Sequence, residues 1–362
     1  MSVRFDFVIV GAGMAGASLA AELAPTGARV LLLEAESAPG YHATGRSAAF
    51  WTESYGGPGV QPLTTASGPA LHVGGYLTPR GALTIARAGQ EAALAAFADR
   101  FSALGVRVER LGRDAVANMV PGLREGWVGG ALEPDCCDID VARLHQDCLA
   151  AARRAGAELW TAARLNRADR DAQGWALAMA DGRTTYADVL INAAGAWADP
   201  VARLAGIAAL GITPYRRTVA QLRIFPESAA ALPLVLDLAE SFYFKPQAGR
   251  LWLSPHDETP SEPCDAAPEE LDVALAIDRL AQAVDWQVQQ VEHRWAGLRS
   301  FAPDRLPVYG FAPEDDRYFW FAGQGGFGIQ TAPAAARLGA GLLLRRTWGE
   351  VDPAPYDPAR FS

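Results

Sequence analysis

The chain has 362 residues, half of them hydrophobic, with 32 Lys and Arg against 41 Asp and Glu and a formal net charge of −9. That apolar content excludes a disordered chain, and the acidic balance argues against a nucleic-acid surface. The length suits two interleaved domains or one large one. Lys245 is the only lysine, and Cys136, Cys137, Cys148 and Cys264 lack metal-ligand spacing, so no metal site and a reducing, cytoplasmic setting are expected. No run reaches the ~20 apolar residues of a membrane span, and Asp6 interrupts the apolar start, so neither a transmembrane segment nor a signal peptide is expected.

The first element is carried by "FDFVIVGAGMAGASLAAEL", residues 5–23. An apolar run meets Gly11, Gly13 and Gly16, and small apolar residues then recur with helical spacing. Such glycines permit a tight turn, close backbone approach to a pyrophosphate, and close packing of helix on strand. The next strand, "ARVLLLEAE", ends on Glu34, where an acid accepts both ribose hydroxyls and disfavours the 2′-phosphate of NADP. Residues 38–59 read as a loop leading into a short helix. Helices are expected in "GQEAALAAFADRFSALG" and "DVARLHQDCLAAARRAGAEL", with a strand and a short helix stopped at Pro121 between them. Residues 183–206 read as a buried strand and then a helix. "YRRTVAQLRIF", "SFYFKPQAGRLWLSP" and "VEHRWAGLRSFAPDRLPVYGF" alternate like antiparallel strands. Trp295 and Trp320 read as core, and His145, His256 and His293 carry no evident role.

Near the end, "YFWFAGQGGFGIQTAPAAARLGAGLLL" gives a strand, a second glycine loop (Gly323, Gly325, Gly326, Gly328) and a long helix. A nicotinamide enzyme needs one dinucleotide unit, whereas the long FAD molecule needs a second cradle for its ring. A helix N-terminus there would stabilise the reduced flavin's negative charge. Gly325, Gly326, Phe327, Gly328 and Ile329 are therefore expected at the ring end.

The segments "GYHATGRSAAFWTESYG", "INAAGAWAD", "RRTVAQLRIF", "ESFYFKP", "WAGLRSF" and "GQGGFGIQTAPA" occur in that order along nearly the whole chain. Together they resemble the FAD-dependent D-amino acid oxidoreductases of the glycine oxidase and sarcosine oxidase superfamily, above all the bacterial D-arginine dehydrogenases. The resemblance implies an α/β fold like that of D-amino acid oxidase. In it, a Rossmann-like FAD-binding domain (1–75, 136–212 and 300–362) carries a discontinuous mixed-sheet substrate-binding domain (76–135 and 213–299). It implies non-covalent FAD, with Arg46, Ser47, Ala48, Ala194 and Gly195 among the cofactor contacts. It also implies hydride transfer from an amino acid Cα to flavin N5, and hydrolysis of the imino acid to a 2-oxo acid and ammonia. Either oxygen or a quinone would reoxidise the cofactor.

By the same resemblance Arg217 and Arg299 bind the substrate carboxylate, while Tyr243 and Tyr55 close over the substrate, Tyr55 from a loop hinged at Gly56, Gly57 and Pro58. Strand alternation lets only one of Arg216 and Arg217 face the pocket. Two positions depart from the arginine dehydrogenases: Ala82 replaces a glutamate that receives the guanidinium, and Phe50 replaces a histidine. Both changes point to a neutral, apolar side chain. The alternatives are an N-methyl or cyclic imino-acid oxidoreductase, a 2-hydroxy acid dehydrogenase and, in another class, a flavin-binding electron-transfer subunit.

Overall fold

The computed structural model describes residues 3–227, 231–346 and 349–362. Its first sheet has eight strands. Arg4–Val10 lies parallel to Val30–Leu33 on one side and to Thr184–Asn192 on the other, and the latter also pairs in parallel with Asp315–Ala322. Parallel strands of this kind are buried on both faces, and their side chains alternate between two cores. Val8, Leu31 and Leu190 join Trp175, Tyr318 and Trp320 on one face. Ile9, Leu32 and Ile191 meet Leu19 of helix Met14–Leu23 and Leu338 of helix Ala332–Leu343 on the other.

The second sheet has ten strands. Its spine is the long antiparallel ladder of Thr213–Phe225 with Gln287–Phe301. Arg217 stands opposite Gly297 and Arg299 opposite Tyr215, so the two arginines are diagonal neighbours on one face. The opposite face is covered by helix Glu270–Ala283, which buries Val273, Ala276, Leu280 and Ala283 against Leu222 and Leu253. This helix is not among those expected above, although apolar residues at these spacings behind the acidic first turn of Glu270 and Asp272 mark one.

A three-stranded sheet of Phe50–Trp51, Leu77–Pro79 and Cys137–Ile139 lies between them in the chain path. Asp138 receives both Arg80, at 2.6 Å, and Lys245 of the second sheet, at 2.7 Å. The lysine is 1 % exposed, 5.4 Å over the Trp252 ring, and burial pushes its pKa down despite Asp138.

The expected helices form as Glu91–Ala103, Arg113–Met119 and Val141–Arg154. The loop after residue 38 leads instead through the Phe50–Trp51 strand to a thirteen-residue helix, Gln61–Val73. Trp320 is core, but Trp295 is only half-buried: it donates from its indole to the Arg46 carbonyl and stacks on His293.

Candidate functional site

Between the first sheet and the arginine face of the second lies a cleft of about 380 Å³. At one end the turn after Val10 reaches it through Gly11 and Gly13. A Cβ on Gly11, at φ 102°, would sit 2.5 Å from the Ala193 carbonyl oxygen, and one on Gly16 only 1.9 Å from that of Gly11. Gly16 thus lies beneath the turn rather than along the cleft, and lets the helix begin directly against the strand. Gly13 at the N-cap has no side chain to cap the helix, and the Thr44 hydroxyl accepts from the Met14 N–H in its place. Glu34 is buried at the wall; its two oxygens accept from Ala12 N at 3.1 Å and Glu36 N at 2.9 Å and keep lone pairs for further donors.

His145, without a role in the sequence reading, is buried with Nε2 2.8 Å from the Ala12 carbonyl. Burial pushes its pKa down, so the ring is neutral and donates to the turn. Its position on helix Val141–Arg154, apolar-periodic with Leu144 and Ala152, was the available signal, but the 133-residue separation hid its partner.

Arg46, Ser47, Ala48, Ala194 and Gly195 all line the middle of the cleft. The Arg46 guanidinium is occupied by Asp265 and by the carbonyls of Ala266 and Ala296, so its side chain ties residues 265–266 to the second sheet beside the cleft. Asp265 also accepts from the Tyr41 hydroxyl. His42 lies on the same wall, 3.1 Å from Glu36 and packed against Trp197.

Gly325, Gly326, Gly328 and Ile329 form the far wall. Residues 326–331 are turns and the α-helix starts only at Ala332, four residues past Gly328, so the cleft is walled by the loop and not by the first turn of the helix. Phe327 turns away and packs between Tyr55 and Phe301.

Against that wall stand the four polar residues singled out in the sequence. Arg217 is buried, its Nε donating to the Asp257 carbonyl and its Nη2 to Glu258, which Arg305 shares. Its Nη1 has no partner, nor has the hydroxyl of buried Tyr243. Burial and then the nearby Arg299 charge depress the Arg217 pKa. Arg299 lines the cleft and donates from Nη1 to the Tyr55 hydroxyl. Arg216 points the other way, to Asp272 of helix Glu270–Ala283 and to Glu269 at its N-cap. His256, also unforeseen, packs edge-on to Tyr243; burial and the charges of Arg217 and Arg299 push its pKa down to about 2, so it is neutral.

Phe50 and Ala82 join one apolar cluster with Ala48, Cys136, Leu234 and Tyr243, and Tyr55 packs on it. Phe50 borders a side chamber of about 20 Å³ beside Arg299; Ala82 lies behind it, away from either cavity. Gly56 and Gly57, at φ 100° and 79°, follow Tyr55. Among the described residues no cluster of His, Cys, Asp and Glu could hold a metal ion, and no helix is long and apolar enough to cross a membrane.

Residues 6–342 match the family described as FAD dependent oxidoreductase. The chain is 33 % identical over 176 residues to a glycine oxidase of Pseudomonas aeruginosa, an alignment covering 48 % of this chain and 46 % of that protein. It is 27 % identical to the hydrogen cyanide synthase subunit HcnC of the same organism, over 71 % of this chain and 61 % of that one. The chain therefore spans about half the length of such curated relatives. Among solved structures it is similar to the glycine oxidase of Geobacillus kaustophilus, at a TM-score of 0.86 and 25 % identity over 99 % of both chains. At 19 % identity, the L-proline dehydrogenase of P. horikoshii shares the fold, with a TM-score of 0.88 over 100 % of this chain and 98 % of that one. The cleft's residues fit FAD: no Cβ narrows the glycine turn, a buried acid stands where a ribose binds, and a second glycine loop faces the other end.

Proposed function

The chain belongs to the FAD dependent oxidoreductase family, with FAD as its cofactor, and from that premise we propose that it oxidises a neutral D-amino acid to its imino acid, which water converts to a 2-oxo acid and ammonia. The observation that carries this reading is the pair of unpartnered buried polar atoms, Arg217 Nη1 and the Tyr243 hydroxyl, beside Arg299. Buried donors without acceptors cost stability, and a carboxylate satisfies them all.

In this reading Arg217 and Arg299 fix the substrate carboxylate, and Tyr243 and Tyr55 bound it. FAD, when bound, supplies the hydride acceptor. Gly11, Gly13 and Glu34 hold its adenosine half, and Gly325 to Ile329 its ring. The two guanidinium groups, whose charges already help keep His256 neutral, set a positive field that favours the neutral amine the oxidation needs. Phe50 bounds the apolar side chain, and Ala82, packed behind it in the same cluster, leaves no acid there to pair with a guanidinium. In the same reading residues 1–75, 136–212 and 300–362 form the FAD-binding domain and 76–135 and 213–299 the substrate-binding domain, the location is cytoplasmic, and FAD is held without a covalent tether.

One observation favours a second reading. The chamber beside Phe50 has room for about one water, which suits glycine or an N-methylated glycine better than a long side chain. Anaerobic mixing with D-leucine, D-methionine, D-arginine, glycine, N-methylglycine, L-proline and 2-hydroxy acids decides between them. Fastest bleaching by the apolar D-amino acids supports the proposal; bleaching by none of them overturns it. Reoxidation by oxygen and by a soluble quinone, measured in the same cell, identifies the acceptor.

A further inference from the structure

The carboxylate site depends on a turn that the substrate sheet holds from outside. Residues 52–55 leave strand Phe50–Trp51 and carry Tyr55 to Arg299. Glu133, the last residue of strand Trp127–Glu133, is 4 % exposed and faces this turn. Its Oε1 accepts from the Glu53 N–H at 2.5 Å and its Oε2 from the Ser54 N–H at 3.3 Å. Among the described residues no basic side chain pairs with it. Burial pushes its carboxyl pKa up, and the hydrogen bonds from the turn pull it back down.

A buried anion without a counter-ion persists only where other donors replace water. Here those donors are the hydroxyls of Ser54 and Thr52 and the consecutive Glu53 and Ser54 N–H groups, all in the turn that ends on Tyr55. The charge is stabilised only while the turn keeps its shape, and by the same interaction the turn keeps its shape while the charge is there. We propose that Glu133 is a positioning residue for the substrate carboxylate: it pins residues 52–55 so that the Tyr55 hydroxyl stays on Arg299. The inference rests on the carboxylate reading of Arg217 and Arg299. Glu133 also stands opposite Ala82 in the sheet register, which makes it the acid next to the apolar end of the site. Its lone pairs are taken by the two N–H groups and by the Ser54 and Thr52 hydroxyls, so it is not offered to a basic side chain.

The test uses the FAD-loaded wild type, Glu133→Gln and Arg299→Met, with acetate as a minimal carboxylate and the flavin absorbance change as readout. Glutamine keeps the size but turns an NH2 toward one of the two N–H donors. The acetate Kd is expected to rise about tenfold or more in Glu133→Gln, the equivalent of one hydrogen bond to a charged group. Amide exchange at Glu53 and Ser54 accelerates by a similar factor, and the KM of the best substrate rises while kcat moves less than about threefold. Acetate binding within twofold of wild type in Glu133→Gln, with Arg299→Met weakened, overturns the inference and leaves the carboxylate site standing. So does a loss confined to D-arginine oxidation, which would make Glu133 a receiver for a basic side chain. Acetate binding equally well to Arg299→Met and wild type overturns the carboxylate site and, with it, the inference. If Glu133→Gln does not fold, wild type alone decides: Glu53 and Ser54 amides exchanging no more slowly than that of Gly56 overturn the proposal.

Discussion

Replacing Arg299 by methionine removes a guanidinium while keeping most of the side chain's apolar volume. Two terms set the expected cost. A charge-assisted pair with a substrate carboxylate in a partly buried site is worth about 3 to 5 kcal/mol when one partner is truncated. Against this, Arg217 is relieved of a like charge: after burial, Arg299 is the strongest influence lowering its pKa. Its unpartnered Nη1 also remains to hold one carboxylate oxygen. The lower end, about 3 kcal/mol, is therefore expected, or roughly 150-fold in kcat/KM. Anaerobic stopped-flow reduction across substrate concentrations gives the ratio directly, and FAD content with thermal unfolding checks that the fold survives. A loss below about threefold in an intact holoenzyme would refute the reasoning, because it would mean that Arg299 serves Tyr55 alone.

Acid precipitation is expected to leave the yellow colour in the supernatant, since His42 is engaged with Glu36 and Trp197; a coloured pellet would show a tether. Ala82→Glu is expected to lower the KM for D-arginine and raise it for D-leucine, with a fall in Tm because the new carboxylate faces Glu133 across the sheet; unchanged preference in steady-state assays counts against the pocket assignment. His256 sets a pH dependence. Unfolded, its ring takes up a proton near pH 6.5, whereas the folded ring resists it down to about 2, so the unfolded state binds more protons between those values. Stability is unaffected by this group above pH 6.5 and declines below it, by about 1 to 2 kcal/mol at pH 4.5 after allowance for the ring's partial exposure. Urea titrations of wild type and His256→Asn should show the smaller acid loss in the variant.

What the sequence displayed was what local spacing encodes. The three glycines of the first turn and Glu34 lie within one strand-turn-helix unit, and strand alternation with the family resemblance separates Arg217 from Arg216 without any knowledge of the helix that Arg216 meets. What stayed hidden depends on partners far along the chain. His145 matters through Ala12, Glu133 through Glu53 and Ser54, and His256 through Arg217 and Arg299. Each looks like an ordinary polar residue until the sheets bring its partner to it. Trp295 misled for the same reason: its aromatic neighbourhood suggests a core, but its strand is half open and the indole holds the Arg46 backbone. Helix Glu270–Ala283 is encoded in its apolar spacing, but the strongly alternating strands around it mask that signal.

The buried lysine has a practical consequence. The chain has no other lysine, and Lys245 is sealed between Asp138 and Trp252. Acylating reagents directed at amines therefore meet a side-chain target only when the strand pairing around Tyr243–Gln247 comes apart. The chain carries its own opening clock: the rate at which an acyl group appears at residue 245, read by peptide mass, times the breathing of the sheet that covers the cleft. Ligands that close the cleft should slow that clock, whatever their chemistry.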